Sequence, residues 1–263
     1  MKFNRKKLLK SLAGTACAVP AFFMFLPGCV ADRIIFQPPS GTSPSVPLVR
    51  LEVEPGTAIT LRYLPPPSEE APVILYSHGN AEDLSYMEDY LQEFRRRGYG
   101  VAAYDYEGYG TSDGKPSEKS TYRDIDRVYR FLTDEAGISP ERIVIYGTSV
   151  GGGPSCYLAE KSPAAALVLE APFTSAFAVV KMGWLPGDRF RNLRRIGNIR
   201  IPVLIIHGDR DSIVPFAHGE ALYEKANEPK RFYRVDGAGH NNIRLAAGER
   251  YWRELAGYLS EKR

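Results

Sequence analysis

The chain has 263 residues, of which 44% are hydrophobic, 25% charged and 11% aromatic, a balance that excludes disordered, collagen-like and polytopic membrane chains and allows a sizeable core. The formal charge of +3 at pH 7 is concentrated at one end: without Lys2, Arg5, Lys6, Lys7 and Lys10 it becomes −2, so no nucleic-acid partner is implied. The three cysteines, Cys17, Cys29 and Cys156, are too few for a disulfide framework.

In chain order, the basic start gives way to an uncharged run from Ser11 to Ala31, with no acid before Asp32. This reads as a secretory signal peptide, residues 1–28. Its end, Leu26-Pro27-Gly28-Cys29, resembles the bacterial lipobox, in which cleavage precedes a cysteine that carries diacylglycerol. That resemblance makes Cys29 the lipidation site of an exported lipoprotein attached to a cell-envelope membrane. The alternative is an uncleaved anchor, because 21 uncharged residues just reach the roughly 20 that span a bilayer. Both of these readings hold the chain on a membrane; full release after cleavage is the third. Residues 29–46 then serve as tether and linker: Ile34-Ile35-Phe36 packs on the body, and the Pro-, Gly- and Ser-bearing stretch from Gln37 to Pro47 is semi-extended.

The folded body is expected at residues 47–263. Val49-Arg50-Leu51-Glu52-Val53 and Ile59-Thr60-Leu61-Arg62-Tyr63 alternate around Pro55-Gly56 and predict an antiparallel hairpin. Thereafter apolar runs at 73–76, 101–104, 143–146, 166–169, 203–206 and 232–235 alternate with helix-length segments near 84–97, 150–160, 216–226 and 242–259. Ile125, Val128, Tyr129 and Leu132 recur at helical spacing. Apolar runs joined by helical crossovers predict an α/β protein: a buried, mostly parallel central sheet with helices on both faces.

One of those strands, Ile143-Val144-Ile145-Tyr146, runs straight into Gly147-Thr148-Ser149-Val150-Gly151 and a helix-length segment. Strand, tight turn and helix are the setting of a nucleophile elbow. The turn strains the nucleophile's backbone, and glycines on either side remove side chains that would collide with strand and helix. A phosphate-loop reading fails, since no Gly-Lys-Ser/Thr closes the segment. A serine hydroxyl needs a base and an orienting carboxylate. Downstream, the strand at 203–206 leads into His207-Gly208-Asp209-Arg210-Asp211, and Asp236-Gly237-Ala238-Gly239-His240 follows the last strand.

Ser149, Asp211 and His240, with their loops, resemble the triad of the α/β-hydrolase superfamily. The likeness covers the chain from about Ile34 onward. It is most similar to the single-domain, membrane-anchored branch of abhydrolase-type depalmitoylases and serine-aminopeptidase-like or lysophospholipase-like hydrolases. Ile35-Phe36-Gln37-Pro38, His78-Gly79-Asn80-Ala81-Glu82-Asp83, Asp105-Tyr106-Glu107-Gly108-Tyr109-Gly110 and Glu170-Ala171-Pro172-Phe173-Thr174-Ser175 carry it. The resemblance implies an α/β-hydrolase fold with a small cap at about 173–200. It also implies an oxyanion hole made by the backbone N–H groups of Asn80 and Val150. It selects Asp211 over Asp209 as the acid, and Glu107 departs from the Arg or Ser usual in the branch.

The expected activity is hydrolysis of carboxylic esters or thioesters through an acyl-serine, without cofactor; no His or Cys spacing suggests a metal. A serine peptidase or amidase of the same fold, and a catalytically silent binding protein, are the alternatives. His78 and His207 are expected to be structural, His218 to lie on a helix surface, and Cys156 to be a packing residue. Met182, Trp184, Leu185, Pro186 and Phe190 are expected to form a hydrophobic rim over the acyl pocket, with packing in the core as the alternative for the aromatics. Arg189, Arg191, Arg194, Arg195 and Arg200 form either a solvated face or a contact for anionic headgroups.

Overall fold

The computed structural model describes residues 32, 33, 35–39, 46–183 and 187–261. The expected signal peptide, Cys29 and Ile34, most of the expected linker, and Trp184, Leu185 and Pro186 of the expected cap rim lie outside the described residues.

Strands β1 (Val49–Glu54), β2 (Thr57–Leu64), β3 (Val73–Ser77), β4 (Gly100–Asp105), β5 (Ile143–Thr148), β6 (Ala166–Glu170), β7 (Val203–Gly208) and β8 (Lys230–Val235) form one sheet in the order β1-β2-β4-β3-β5-β6-β7-β8. The first two pairings are antiparallel and the rest parallel. The helices are α1 (Glu88–Arg96), α2 (Glu118–Arg130), α3 (Gly152–Lys161), α4 (Ala176–Val179), α5 (Asn192–Ile196), α6 (Ala217–Lys225), α7 (Ile243–Ala247) and α8 (Glu249–Ser260). This is the expected α/β-hydrolase architecture.

Alternation along each buried strand divides the core in two, because successive side chains leave a strand on opposite faces. Val73, Leu75, Ile143, Ile145, Leu167, Leu169, Val203 and Ile205 face one way, toward Ile125, Val128, Cys156, Leu158, Ile196 and Leu222 of the helices. Ile74, Tyr76, Val144, Tyr146, Val168, Leu204 and Ile206 face the other, toward Leu91, Phe94, Tyr251, Leu255 and Tyr258. Both faces are dry, which is why the strands read as continuous apolar runs.

Three helix-length segments are more broken than their periodicity suggests. The first opens as a 3-10 turn, Leu84–Tyr86, capped by the Asp83 carboxylate. The segment near 150 also opens with a 3-10 turn, Ser149–Gly151. The last divides at Gly248, whose φ of +53° ends α7 and begins α8; this left-handed region favours glycine.

The cap expectation is corrected at Phe190. Its side chain is fully buried, edge-on to Phe36, Tyr122 and Phe173. A Cβ at Gly153 would lie 2.2 Å from its ring, so the missing side chain on α3 is the seat of Phe190. It belongs to the core and not to a rim.

The chain order places the site. From β3 the chain goes to β4 on one side and later to β5 on the other, with Ser77 opposite Gly147. Open parallel sheets bind ligands beyond the carboxyl ends of strands at such a switch point.

Candidate active site

β5 delivers Ser149 there with a φ of 51°, the left-handed conformation that a non-glycine residue adopts only when its surroundings enforce it. What enforces it is close packing. A Cβ at Gly147 would sit 2.5 Å from the Gly151 carbonyl oxygen, and one at Gly151 would sit 2.1 Å from that of Ser77. The turn therefore lies directly on the end of β3. Thr148, just before the nucleophile position, is pinned by a 2.8 Å hydrogen bond between its hydroxyl and that of Tyr76.

The β7 and β8 loops meet over this turn. Arg210 N–H donates to Ala238 O (2.9 Å), and a Cβ at Gly208 would come within 2.4 Å of that same carbonyl oxygen. The result brings the three predicted side chains together: His240 Nε2 lies 3.0 Å from Ser149 Oγ, and His240 Nδ1 lies 2.7 Å from Asp211 Oδ2. The second distance fits a proton on Nδ1, which leaves Nε2 to accept from the serine hydroxyl. Asp209 is engaged elsewhere, by Arg234 (2.8 Å) and the Gly237 N–H (2.7 Å).

Asp211 is buried, which by itself would raise its carboxyl pKa. Hydrogen bonds from His207 and His240, with one from the Val214 amide, outweigh burial and hold it well below the usual carboxylate range. Its Oδ1 accepts the N–H groups of Ile213 (2.9 Å) and Val214 (2.8 Å). His207, expected to be structural, also touches the acid. Fully buried, its Nε2 is 3.0 Å from Val214 O and 3.3 Å from Asp211 Oδ2. The available signal was a histidine ending a buried strand four residues before the acid.

The remaining candidates sort by burial. The His78 ring is buried and donates from Nδ1 to Gly79 O (2.7 Å); burial lowers its pKa and favours the neutral form. His218 is half-buried, not simply on a helix surface, with Nδ1 accepting the Thr174 N–H (3.2 Å). Burial pushes the Cys156 thiol up to about 12, as befits a packing residue. Glu107 is buried and forms an ion pair with Arg123 of α2. Asn80 and Val150 lie on the two loops that meet at the β3–β5 ends, since a Cβ at Gly151 would also approach His78 O (2.8 Å). No group of His, Cys, Asp and Glu able to hold a metal ion occurs among the described residues.

With this geometry in place, comparison with known proteins is informative. The model of the family described as serine aminopeptidase, S33 matches residues 68–194. Alpha/beta hydrolase domain-containing protein 17B of Homo sapiens is 41% identical over 194 residues, covering 72% of this chain and 66% of that protein. The Xenopus laevis protein of the same name is 44% identical over 177 residues, 65% of this chain and 61% of its own length. The chain thus spans about 60% of the length of the curated relatives it matches. Among solved structures, the Pyrococcus furiosus esterase Pf2001 superposes with a TM-score of 0.70 at 18% identity, over 86% of this chain and 97% of that one. The Exiguobacterium antarcticum esterase does so at 0.63 and 18%, over 81% and 99%; at such identities the likeness is one of fold.

Proposed function

This chain belongs to the α/β-hydrolase superfamily, and from that premise we propose that it is a hydrolase, cleaving carboxylic esters or thioesters through an acyl-Ser149 intermediate. The observation that carries the reading is the continuous relay from Ser149 Oγ through His240 to Asp211 at 3.0 and 2.7 Å. His240 Nε2 takes the hydroxyl proton as Ser149 attacks the acyl carbon, then returns it to the leaving alcohol or thiol. Water repeats the sequence to release the acid. Asp211 fixes the tautomer and stabilises the imidazolium. The Asn80 and Val150 N–H groups receive the oxyanion. Labelling by a fluorophosphonate that Ser149→Ala abolishes, followed by turnover of a panel of acyl esters and thioesters, tests this; labelling that persists in Ser149→Ala sinks it. The serine aminopeptidase description of the matching family favours peptide cleavage as the second reading, and amide substrates belong in the same panel.

We also propose export and membrane attachment through a lipid on Cys29, which would concentrate membrane-borne acyl substrates around the site without altering its rate constants. The support is the sequence of the leader. Cys29→Ser should leave a larger, unprocessed protein in a bacterial host. An intact N-terminus on the wild-type protein, read by mass spectrometry, would favour the uncleaved anchor.

A further inference from the structure

The segment that follows the tether, Ile35-Phe36-Gln37, does more than cover the body. The side-chain amide of Asn80 pairs with it as a neighbouring strand would. Asn80 Nδ2 donates to Ile35 O (2.6 Å), and Asn80 Oδ1 accepts the Gln37 N–H (2.9 Å). The opposite placement of amide O and N would set donor against donor, so only one orientation of Asn80 satisfies the pair. Tyr109 closes the arrangement: its hydroxyl donates to Asn80 Oδ1 (2.7 Å) and lies 3.1 Å from the Gln37 N–H.

Between the two bonded residues, Phe36 is 3% exposed and stands edge-on to Tyr109 and Phe190 at 6.5 and 5.8 Å. Asp32 adds an ion pair with Arg189 (3.2 Å), and Phe36 N–H donates to Asp32 O (2.8 Å). The loop from His78 is fixed on its other side by Tyr106 OH donating to His78 O (2.7 Å) and by Gly79 N–H donating to Glu82 (2.9 Å). Without the 35–37 segment, Asn80 would lose the backbone partners of both its amide atoms.

We propose that residues 35–37 are a positioning element of the active site, setting the Asn80 backbone N–H toward the oxyanion and thereby joining the membrane tether to turnover. The proposal rests on the oxyanion role given to Asn80 above. Phe36 supplies the anchor by burial, Asn80 the two-point registry, and Tyr109 the brace. In sequence, the tether cysteine stands three residues before Asp32, so whatever holds the chain on a membrane continues directly into this element.

The test uses the full chain in detergent, comparing wild type with Asn80→Ala, Tyr109→Phe, Phe36→Ala and Phe36→Leu. A displaced oxyanion donor weakens the transition state more than the bound ester, and small displacements cost up to about a hundredfold. Asn80→Ala is therefore expected to lower kcat about 30-fold with KM within about twofold, and Tyr109→Phe to lower it about threefold. Phe36→Leu should recover most of what Phe36→Ala loses. Amide hydrogen exchange at residues 78–82 should accelerate in Asn80→Ala and Phe36→Ala while α6 stays unchanged. If Phe36→Ala fails to fold, Asn80→Ala and Tyr109→Phe decide.

Unchanged kcat and unchanged exchange at 78–82 in an active enzyme would overturn the positioning role and leave the hydrolase reading standing. A wild-type chain that turns over no ester, thioester or amide would instead overturn the hydrolase reading. In that case exchange at 78–82 alone decides whether the segment holds the loop.

Discussion

Two carboxylates sit at the carboxyl edge of the same sheet, each with its side chain out of solvent and beside a buried histidine, and their carboxyl groups are shifted in opposite directions. Asp211, beyond β7, has two amides and two imidazoles around it, and stays ionised against the cost of burial. Asp105, at the end of β4, has the Leu84 N–H (2.9 Å) and one further amide. Its Oδ2 has no partner among the described residues, and His78 Nε2 stands off at 3.7 Å. Burial, helped by the neighbouring Asp83, pushes its carboxyl up to about 7. The number and direction of donors, more than depth, decide whether a buried acid can serve as the anion that orients a base.

The strongest way to break this contrast is to make both side chains neutral. Asp211→Asn is expected to lower kcat/KM by about 10⁴, comparable to Ser149→Ala or His240→Ala, because these groups act as one unit. Asp105→Asn should stay within about tenfold of wild type, since at neutral pH it replaces a group that is already partly protonated. Steady-state kinetics on an acyl ester, with circular dichroism to verify folding, measures both. Equal losses would mean that Asp105 also supports the relay.

The next effect is on stability, and it has opposite signs for the two acids. Unfolded, the Asp105 carboxyl ionises near 3.9; folded, it keeps its proton until about 7. Between those values the folded chain binds more protons, so stability falls as pH rises from about 4 to about 7, by at most about 4 kcal/mol. The depressed pKa of Asp211 works the other way, contributing stability above the unfolded value that is lost as pH falls through the folded one. Urea unfolding at several pH values should therefore show a decline above pH 4 that Asp105→Asn removes. A wild-type curve unaffected by that substitution would mean that Asp105 is ionised in the fold.

The same two regions show what the amino-acid sequence makes legible. The strands are legible because both faces of the sheet are dry, and Ser149 because a strand, a glycine-flanked turn and a helix leave it one position; the choice of Asp211 over Asp209 comes from the family resemblance, since both acids follow the same strand. Phe190 was misplaced because its burial depends on Gly153, Phe36 and Tyr122, which are far from it in the chain. His207 and the Asn80 side chain were underestimated for the same reason: their partners, Asp211 and the 35–37 backbone, become neighbours only in the folded chain. Arg189 and Arg195, read as one basic face with Arg191, Arg194 and Arg200, are divided by partners too, through Asp32 and Glu160.

The smallest expected effect comes from Asp209, two residues from Asp211. It is solvent-accessible, and its carboxyl is lowered first by the Arg234 guanidinium and then by the Gly237 amide. It reaches the His240 loop only through the backbone: its Oδ1 accepts the Gly237 N–H at 2.7 Å. Asp209→Asn can keep that bond through Oδ1 and loses only an exposed ion pair, a class of interaction worth little in water. Turnover should therefore remain within about threefold of wild type, with its pH profile unmoved. If Asp209→Asn instead abolished turnover and Asp211→Asn were the mild variant, the orienting acid would have to be reassigned to Asp209, and the contrast of donors drawn from Asp211 would lose its catalytic meaning.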